Sequence, residues 1–483
     1  MMLLSKIADS IKCEKRNFVD AEITGIEIDS RKVEKGNIYI CISGFKVDGH
    51  IFASQAVESG AAAIISEREL EDIDVPQIIV ENSRNAFAIC AATWFGNPAD
   101  DLKIIGITGT NGKTTTSHML KTILEANGIK SAAIGTIGTY INDEVYSQKL
   151  TTPDPMELQE IFALARDKGC EVVIMEVSAH ALELNKVDGV TFFASAFTNL
   201  TQDHLDDFEH MDNYKNAKKK LFTEISQRAV INMDDAAGEQ MAADFASQLI
   251  TYSTKDEKCS FFGKDIELSE EGFSYNMVAG GKTCKIEIGI PGLFNVYNSL
   301  AAAALANLLG LSIEQVQSAA AKIKNVDGRM EKVEVDANFH VFVDYAHSSD
   351  SLENLLVNVN KFCEGRVICV FGCGGDRDTL KRPIMGRISG ENADFSIVTS
   401  DNPRTEVPDA IIDMIEVGIK EATDKYIRIT DRKQAIHKAL DMAKDKDIVV
   451  IAGKGHETYQ DVMGVKYHFD DREIVREYMN RRG

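Results

Sequence analysis

The stretch Lys103-Ile-Ile-Gly-Ile-Thr-Gly109-Thr110-Asn111-Gly112-Lys113-Thr114-Thr115-Thr116 decides the reading of this chain. Lys103–Thr108 is apolar enough for a buried strand, and His118–Ala126 is patterned as a helix. The glycines between them let the backbone curl so that successive N–H groups point at phosphate oxygens. The helix N-terminus adds its positive dipole end. Lys113 can reach the β- and γ-phosphates, and the Thr114 hydroxyl can ligate Mg²⁺. The strict phosphate-loop pattern wants a glycine five residues before Gly112, where Ile107 stands. The match is therefore to Gly-Lys-Thr in its strand–loop–helix context, and it predicts a nucleotide-binding α/β sheet.

On either side of this loop, short Val/Ile-rich runs alternate with amphipathic stretches, the pattern of an α/β chain. At ~150 residues per domain, 483 residues suggest about three domains. Turn-rich Gly96-Asn97-Pro98 and a second break at Asp327-Gly328-Arg329 divide the chain into 1–98, 99–328 and 329–483. The first part has strand candidates at Asn37–Ile42, Ala61–Ser66 and Pro76–Val80. The central part adds Ser131–Ile137, Glu171–Met175, Phe192–Thr198, Ala229–Asn232, a hairpin over Phe273–Ile288 and a buried helix over Leu300–Leu311. The last part restarts with strands His340–Tyr345, Arg366–Phe371, Phe395–Thr399 and Asp447–Ala452, with helices Pro408–Ala422 and Arg432–Lys444 between them.

A net charge of −22 argues against a general nucleic-acid or anionic-membrane binder. No apolar run approaches the ~18 residues of a membrane span. The N-terminus is charged too soon for a signal peptide. The nine cysteines include no CxxC pair and read as reduced, mostly buried thiols of a cytoplasmic protein.

Glu176 closes the apolar run Val172–Met175, and ligands of open α/β sheets sit at the carboxyl ends of strands. A carboxylate there can ligate the Mg²⁺ of a nucleotide. Ser178 and His180 follow it, and His204 falls at the end of the next strand. Tyr214–Phe222 reads as a helix with one basic face, whose lysines are individually read as solvated. Asn185-Lys-Val-Asp188 imitates a guanine-reading element, but no Asp-x-x-Gly precedes it, so it is taken as chance.

These segments resemble the Mur ligases, the ATP-dependent amide-forming enzymes of peptidoglycan precursor synthesis. The resemblance rests on Gly109–Thr115, Glu176-Val-Ser178-Ala-His180, Asn199–Asp206 and Tyr214-x-x-Ala-Lys218. It continues through Phe294-Asn295-x-x-Asn298, Gly328-Arg329-Met-Glu331, Asp344-Tyr-Ala-His347, Gly372–Asp378 and Gly453-Lys-Gly-His-Glu457. Within the family the order is most similar to the branch that joins a diamino acid to UDP-MurNAc-L-Ala-D-Glu.

The resemblance implies an N-terminal UDP-sugar domain, a central ATP domain and a C-terminal Rossmann-like amino-acid domain. It implies catalysis by Lys113, Glu176, His204 and Lys218, the last carrying a CO₂-derived carbamate. Thr114, Glu176, His204 and Lys218 would ligate Mg²⁺. Gly109–Thr115, Asn295, Arg329 and Asp344 would hold ATP. Ser30, Thr151, Thr152, Ser178 and Lys186 match the UDP-MurNAc-dipeptide site, while Leu184 and Lys186 replace a common Gln and Arg there. Ala179 and Ser348-Ser349 also depart from the usual Ser and Thr-Pro. Arg377, Asp401, Asn402, Pro403, Arg404, Gly453 and Glu457 match the amino-acid pocket. The Asp401-Asn402-Pro403-Arg404 form implies meso-diaminopimelate, because Arg404 can pair with its second carboxylate. No nucleic-acid partner, no membrane insertion and a monomeric state complete the expectation. The alternatives are a paralogue that adds L-lysine or uses another acyl acceptor, a folylpolyglutamate synthase, and a nicotinamide dehydrogenase reading Gly372-Cys-Gly-Gly as a dinucleotide fingerprint.

Overall fold

The computed structural model describes all residues except 45–46, 203–207, 209, 246–247 and 482–483. Three main sheets follow one another along the chain among the described residues. The first is ordered Glu14–Arg16, Gln77–Ile79, Ala63–Ser66, Asn37–Ile40, Gly25–Glu27, and only its first pair is antiparallel.

The second sheet has Lys103–Thr108 at its centre, flanked by Val172–Glu176 and Ala194–Phe197, all parallel. Ser131–Gly135 lies beyond Val172–Glu176. Arg228–Asn232 and Gln248–Ser253 extend the parallel part on the other side. An antiparallel meander of Phe261–Ser269, Gly272–Ala279 and Lys282–Ile288 finishes that edge. Sequence reading anticipates the last two strands as a hairpin and misses the first.

Both faces of the parallel part are covered, so its strands are apolar throughout rather than alternating. Ile105, Ile107 and Ile174 face the helices Lys113–Ala126 and Leu293–Leu308. Ile104, Val173 and Met175 face Leu158 and Phe162 of the helix Pro155–Asp167. The helix after the phosphate loop starts at Lys113, five residues before the sequence prediction. Thr114, Thr115 and Thr116 have poor helix propensity, and burial of all three against the core overrides it. The helix Leu293–Leu308 likewise begins well before Leu300, because Asn295, Asn298 and Ser299 are buried polar residues with partners.

The third sheet runs Glu331–Val333, His340–Asp344, Ile448–Ala452, Val367–Phe371, Phe395–Val398, Tyr426–Arg428, parallel after its first pair. Ile448–Ala452 inserts between His340–Asp344 and Val367–Phe371, so the strand order changes direction there. The segments after Asp344, Phe371, Val398 and Ala452 thus emerge at one carboxyl edge. A two-stranded hairpin, Tyr459–Val462 with Val465–His468, leaves the same edge. All nine cysteines are free; Cys41, Cys90, Cys170, Cys369 and Cys373 are buried and the rest half-buried.

Candidate active site

The phosphate loop is built by its neighbours as much as by itself. Gly112 sits at φ +87° as the residue before the helix, and a Cβ there would run into the Asn298 side-chain oxygen. Thr110 N donates to Asn199 O and Asn111 N to Asn199 Oδ1, both at 2.9 Å. Thr198 Oγ1 donates to Asn111 O at 2.6 Å. The loop is therefore braced by the segment that follows the neighbouring strand. The first-turn N–H groups from Lys113 to Thr115 have no acceptor within their own helix. Lys113 Nζ folds back to the carbonyls of Gly109 and Thr110, at 2.9 and 2.8 Å.

Glu176 is buried at the end of its strand. Its Oε1 accepts from Thr136 N at 2.9 Å and its Oε2 from Thr136 Oγ1 at 3.1 Å. Thr136 Oγ1 also lies 3.2 Å from Thr151 Oγ1. Thr152 Oγ1 donates to Glu176 O at 2.9 Å and meets Ser178 Oγ at 3.3 Å, while Ser178 caps the short helix Ala179–Glu183. The structure thus gathers Thr151, Thr152, Glu176 and Ser178. Lys186 pairs with Asp154 at 2.7 Å just beyond them. Ser30 opens the short 3-10 turn Ser30–Lys32 that follows the first-sheet strand Gly25–Glu27, where it is buried and bonded to Gln55 at 3.2 Å. Asn185 and Asp188, the imitation guanine element, bond instead to Asn82 and Asn85 of the first part.

Lys218 differs from its neighbours. On the helix Met211–Thr223 the buried positions are Tyr214, Ala217, Lys218, Leu221 and Phe222, a single helical stripe. Lys215, Lys219 and Lys220 lie outside that stripe and pair with Asp212, Asp244 and Glu183. Lys218 is 1% exposed, sits 4.3 Å over the Tyr214 ring, and donates to Gly109 O at 3.0 Å. The general reading of this face as solvated lysines fails at this one position. Its place on the apolar stripe was legible in the spacing. His204 lies outside the described residues.

Two contacts bring the third sheet to the phosphate loop. Arg329 Nη2 donates to Thr114 Oγ1 at 3.2 Å, and its guanidinium lies 4.8 Å from the centre of the Tyr345 ring. Asp350, in the first turn of the helix Ser349–Val359, accepts from Asn111 Nδ2 at 2.7 Å and from Thr201 Oγ1 at 2.8 Å. Asp344 accepts from Met330 N and Ala346 N at 2.7 and 2.8 Å, so it holds the turn that presents Arg329. Burial raises the Asp344 carboxyl, opposed by the Arg329 charge. Asn295 bonds to Asn298, and Thr116 reaches Asn298 in turn. Burial drives His118 and His456 down to about 4, with Arg329 contributing to both. Sequence reading did not select either histidine.

The carboxyl edge of the third sheet gathers the remaining motif. Asn402 Nδ2 donates to Glu457 Oε2 at 2.8 Å. Asp401 is buried beside Gly453, where φ is +117° and a Cβ would strike its carboxylate. Gly375 N donates to Asn402 O at 2.9 Å, tying the Gly372–Asp378 loop to this turn, and Pro403 packs its carbonyl against Gly375. Arg404 Nη1 donates to Gly375 O at 2.5 Å, beside Gly374, and Arg377 is exposed on the same loop. The backbone of Arg404 has φ +49° and pairs with the hairpin through Asp461 O and Met463 N. Behind it, Arg382 is fully buried and bidentate to Glu406 at 2.8 Å for both bonds. Glu406 also accepts from Asp376 N. Lys454 is buried against Asn402 and Glu457. Arg382, Glu406 and Lys454 escape sequence reading because their partners lie 24 to 52 residues away or inside an otherwise glycine-rich motif.

Among the described residues no group of three or more His, Cys, Asp and Glu is arranged around a common centre. Thr114, in the first turn of the helix after the central strand, and Glu176, at the end of the neighbouring strand, are nevertheless hard oxygen donors. That set fits Mg²⁺, which commonly takes one or two protein oxygens and completes its shell with phosphate and water. No helix among the described residues is long and apolar enough to cross a membrane.

Family models match most of the chain: "Mur ligase family, catalytic domain" over residues 22–94, "Mur ligase middle domain" over 107–306, and "Mur ligase, glutamate ligase domain" over 328–455. The UDP-N-acetylmuramoyl-L-alanyl-D-glutamate–2,6-diaminopimelate ligase of Alkaliphilus oremlandii (strain OhILAs) is 42% identical over 486 aligned positions, covering 100% of both chains. The enzyme of the same name from Bacillus cereus is 44% identical over 469, covering 95% of each. A solved structure bearing that name superposes with a TM-score of 0.71 at 33% identity over 95% of each chain. With the phosphate loop, the strand-end acid and the third-sheet loops arranged as described, these matches establish that the chain belongs to the Mur ligase family.

Proposed function

We propose that this chain is the ATP-dependent, ADP-forming ligase that adds meso-diaminopimelate to UDP-MurNAc-L-Ala-D-Glu in peptidoglycan precursor synthesis. The observation that carries the choice of amino acid is the gathering of Arg404, Asn402 and Glu457 at one sheet edge, with the Arg404 guanidinium aimed at the Gly374–Gly375 turn. A guanidinium there supplies a planar, permanently charged partner for a carboxylate. Diaminopimelate has a carboxylate at its distal centre and lysine has none.

In this reading residues 1–98 hold the UDP end through Ser30, and Thr151, Thr152, Ser178 and Lys186 continue the acceptor site. Gly109–Thr115 bind the phosphates of ATP, with Asn295, Arg329 and Asp344 around the nucleoside and phosphates. The D-Glu γ-carboxylate attacks the γ-phosphorus and ADP leaves, giving an acyl phosphate. The amine of the amino acid then attacks the acyl carbon, phosphate leaves, and the amine proton is lost. Lys113 neutralises charge gathering on the transferred oxygens. Thr114 and Glu176 would hold Mg²⁺, joined by His204 and carbamylated Lys218 for a second ion. Bound Mg²⁺ supplies electrostatic stabilisation of the phosphoryl oxygens. The contacts Arg329–Thr114 and Asp350–Asn111 support a closed arrangement that keeps water from the acyl phosphate.

The third-sheet motifs disfavour a folylpolyglutamate synthase, and family membership removes the dehydrogenase reading. The names of the relatives favour diaminopimelate over lysine and over another acyl acceptor. Nine free thiols agree with a cytoplasmic enzyme, which we take to act as a monomer. The test is ADP release and tripeptide formation that require both UDP-MurNAc-L-Ala-D-Glu and meso-diaminopimelate. ATP binding without any product would contradict the reading.

A further inference from the structure

Lys454 follows the buried strand Ile448–Ala452 and stands between two glycines with positive φ, Gly453 at +117° and Gly455 at +53°. Its side chain is 0% exposed. The ammonium donates to Asn402 Oδ1 and to Glu457 Oε2, each at 3.1 Å. Asn402 Nδ2 donates to the same Glu457 oxygen at 2.8 Å, which closes a triangle of three side chains. The Tyr459 ring lies 5.4 Å from the ammonium on another side. Burying an ammonium is costly unless it is paired and hydrogen-bonded. Here its partners are two residues that, on the reading above, meet the incoming amino acid.

We infer that Lys454 is a positioning residue for the amino-acid pocket. Its buried ammonium locks the Glu457 carboxylate against Asn402. Both donors share Oε2, which directs a third donor, the distal ammonium of the diamino acid, to Oε1. Without this cation, Glu457 loses a charge-assisted bond and gains rotamer freedom, so the pocket pays for its ordering when substrate binds. The inference rests on the diaminopimelate reading of the site.

Steady-state constants for all three substrates, with melting temperatures, test it on the full-length enzyme. Wild type must first form tripeptide with meso-diaminopimelate; failure there overturns the functional reading itself. Lys454→Met, similar in length but neutral, should raise KM for diaminopimelate roughly tenfold or more and leave KM for ATP and for UDP-MurNAc-L-Ala-D-Glu within about twofold. Glu457→Gln should have a comparable effect. Because Lys454 acts through Glu457, the K454M/E457Q double variant should lie within about threefold of E457Q alone. An unchanged KM for diaminopimelate in K454M, equal rises for all three substrates, or additive effects in the double variant would overturn the proposal. Should K454M fail to fold, the double variant leaves no lone buried charge and decides the question by the same comparison with E457Q.

Discussion

Lys113 and Lys218 converge on one acceptor: each Nζ donates to the main-chain carbonyl of Gly109, at 2.9 and 3.0 Å. One lysine comes from the helix after the phosphate loop and the other, 109 residues beyond Gly109, from the helix Met211–Thr223. Two cations on one carbonyl repel each other, and in a buried site that repulsion is poorly screened. Carbamylation of Lys218 would replace the second cation with an anion and turn repulsion into attraction. Lys218→Ala should therefore lower kcat by roughly a hundredfold or more, as expected when a group acting on a phosphoryl transition state is removed. Intact mass measured in bicarbonate should show one added CO₂ on wild type and none on the variant. Full ligase activity in Lys218→Ala would refute the role.

Arg404 combines a side-chain task with an unusual backbone. Its φ of +49° favours Asn or Gly over Ala, so Arg404→Asn removes the guanidinium with least strain. We expect kcat/KM for meso-diaminopimelate to fall by about two orders of magnitude, since a charge-assisted and bidentate contact is lost. The melting temperature should stay within a few degrees of wild type. Equal kcat/KM before and after substitution would show that the guanidinium does not read the substrate.

The Arg382–Glu406 pair gives a pH signature. Hydrogen bonds from Arg382 pull the Glu406 carboxyl from 4.5 down to about 2. A group with a lowered folded value contributes its stability above the unfolded value and loses it as pH falls through the folded one. Wild type should thus melt higher than Glu406→Gln at neutral pH. The gap should stay constant down to about pH 5 and shrink as the pH drops from 4.5 towards 2. Thermal melts across that range check it. A gap that widens on acidification would contradict the assignment.

Gly112 carries the turn into the helix at φ +87°, with the Asn298 side chain where a Cβ would be. Gly112→Ala should cost about 1–3 kcal/mol in local strain and weaken ATP binding in proportion. Titration with a fluorescent nucleotide measures this. Wild-type affinity in the variant would mean that the loop relaxes freely.

The sequence made the sheet architecture readable because its parallel strands, buried on two faces, appear as unbroken apolar runs such as Ile104–Thr108 and Val172–Met175. Boundaries slipped where tertiary burial overrode propensity, as at Thr114–Thr116 and at Asn295–Ser299. The phosphate loop and Glu176 stood out by residue type and position, whereas Arg404 was reached through resemblance to the family motif Asp401–Arg404. Lys218 was singled out through resemblance, and its spacing on the stripe of Tyr214, Ala217, Leu221 and Phe222 is the local signal that also marks it. Lys454, Arg382 and Asp350 depend on contacts between helices and loops distant in sequence, and no local pattern announces such pairs.

The most direct measurement is kcat/KM for meso-diaminopimelate and for L-lysine, taken side by side with saturating ATP, Mg²⁺ and UDP-MurNAc-L-Ala-D-Glu. Tripeptide is expected with diaminopimelate, with a preference over lysine of at least about a hundredfold, the worth of a buried guanidinium–carboxylate pair. Equal use of the two amino acids, or a preference for lysine, would contradict it.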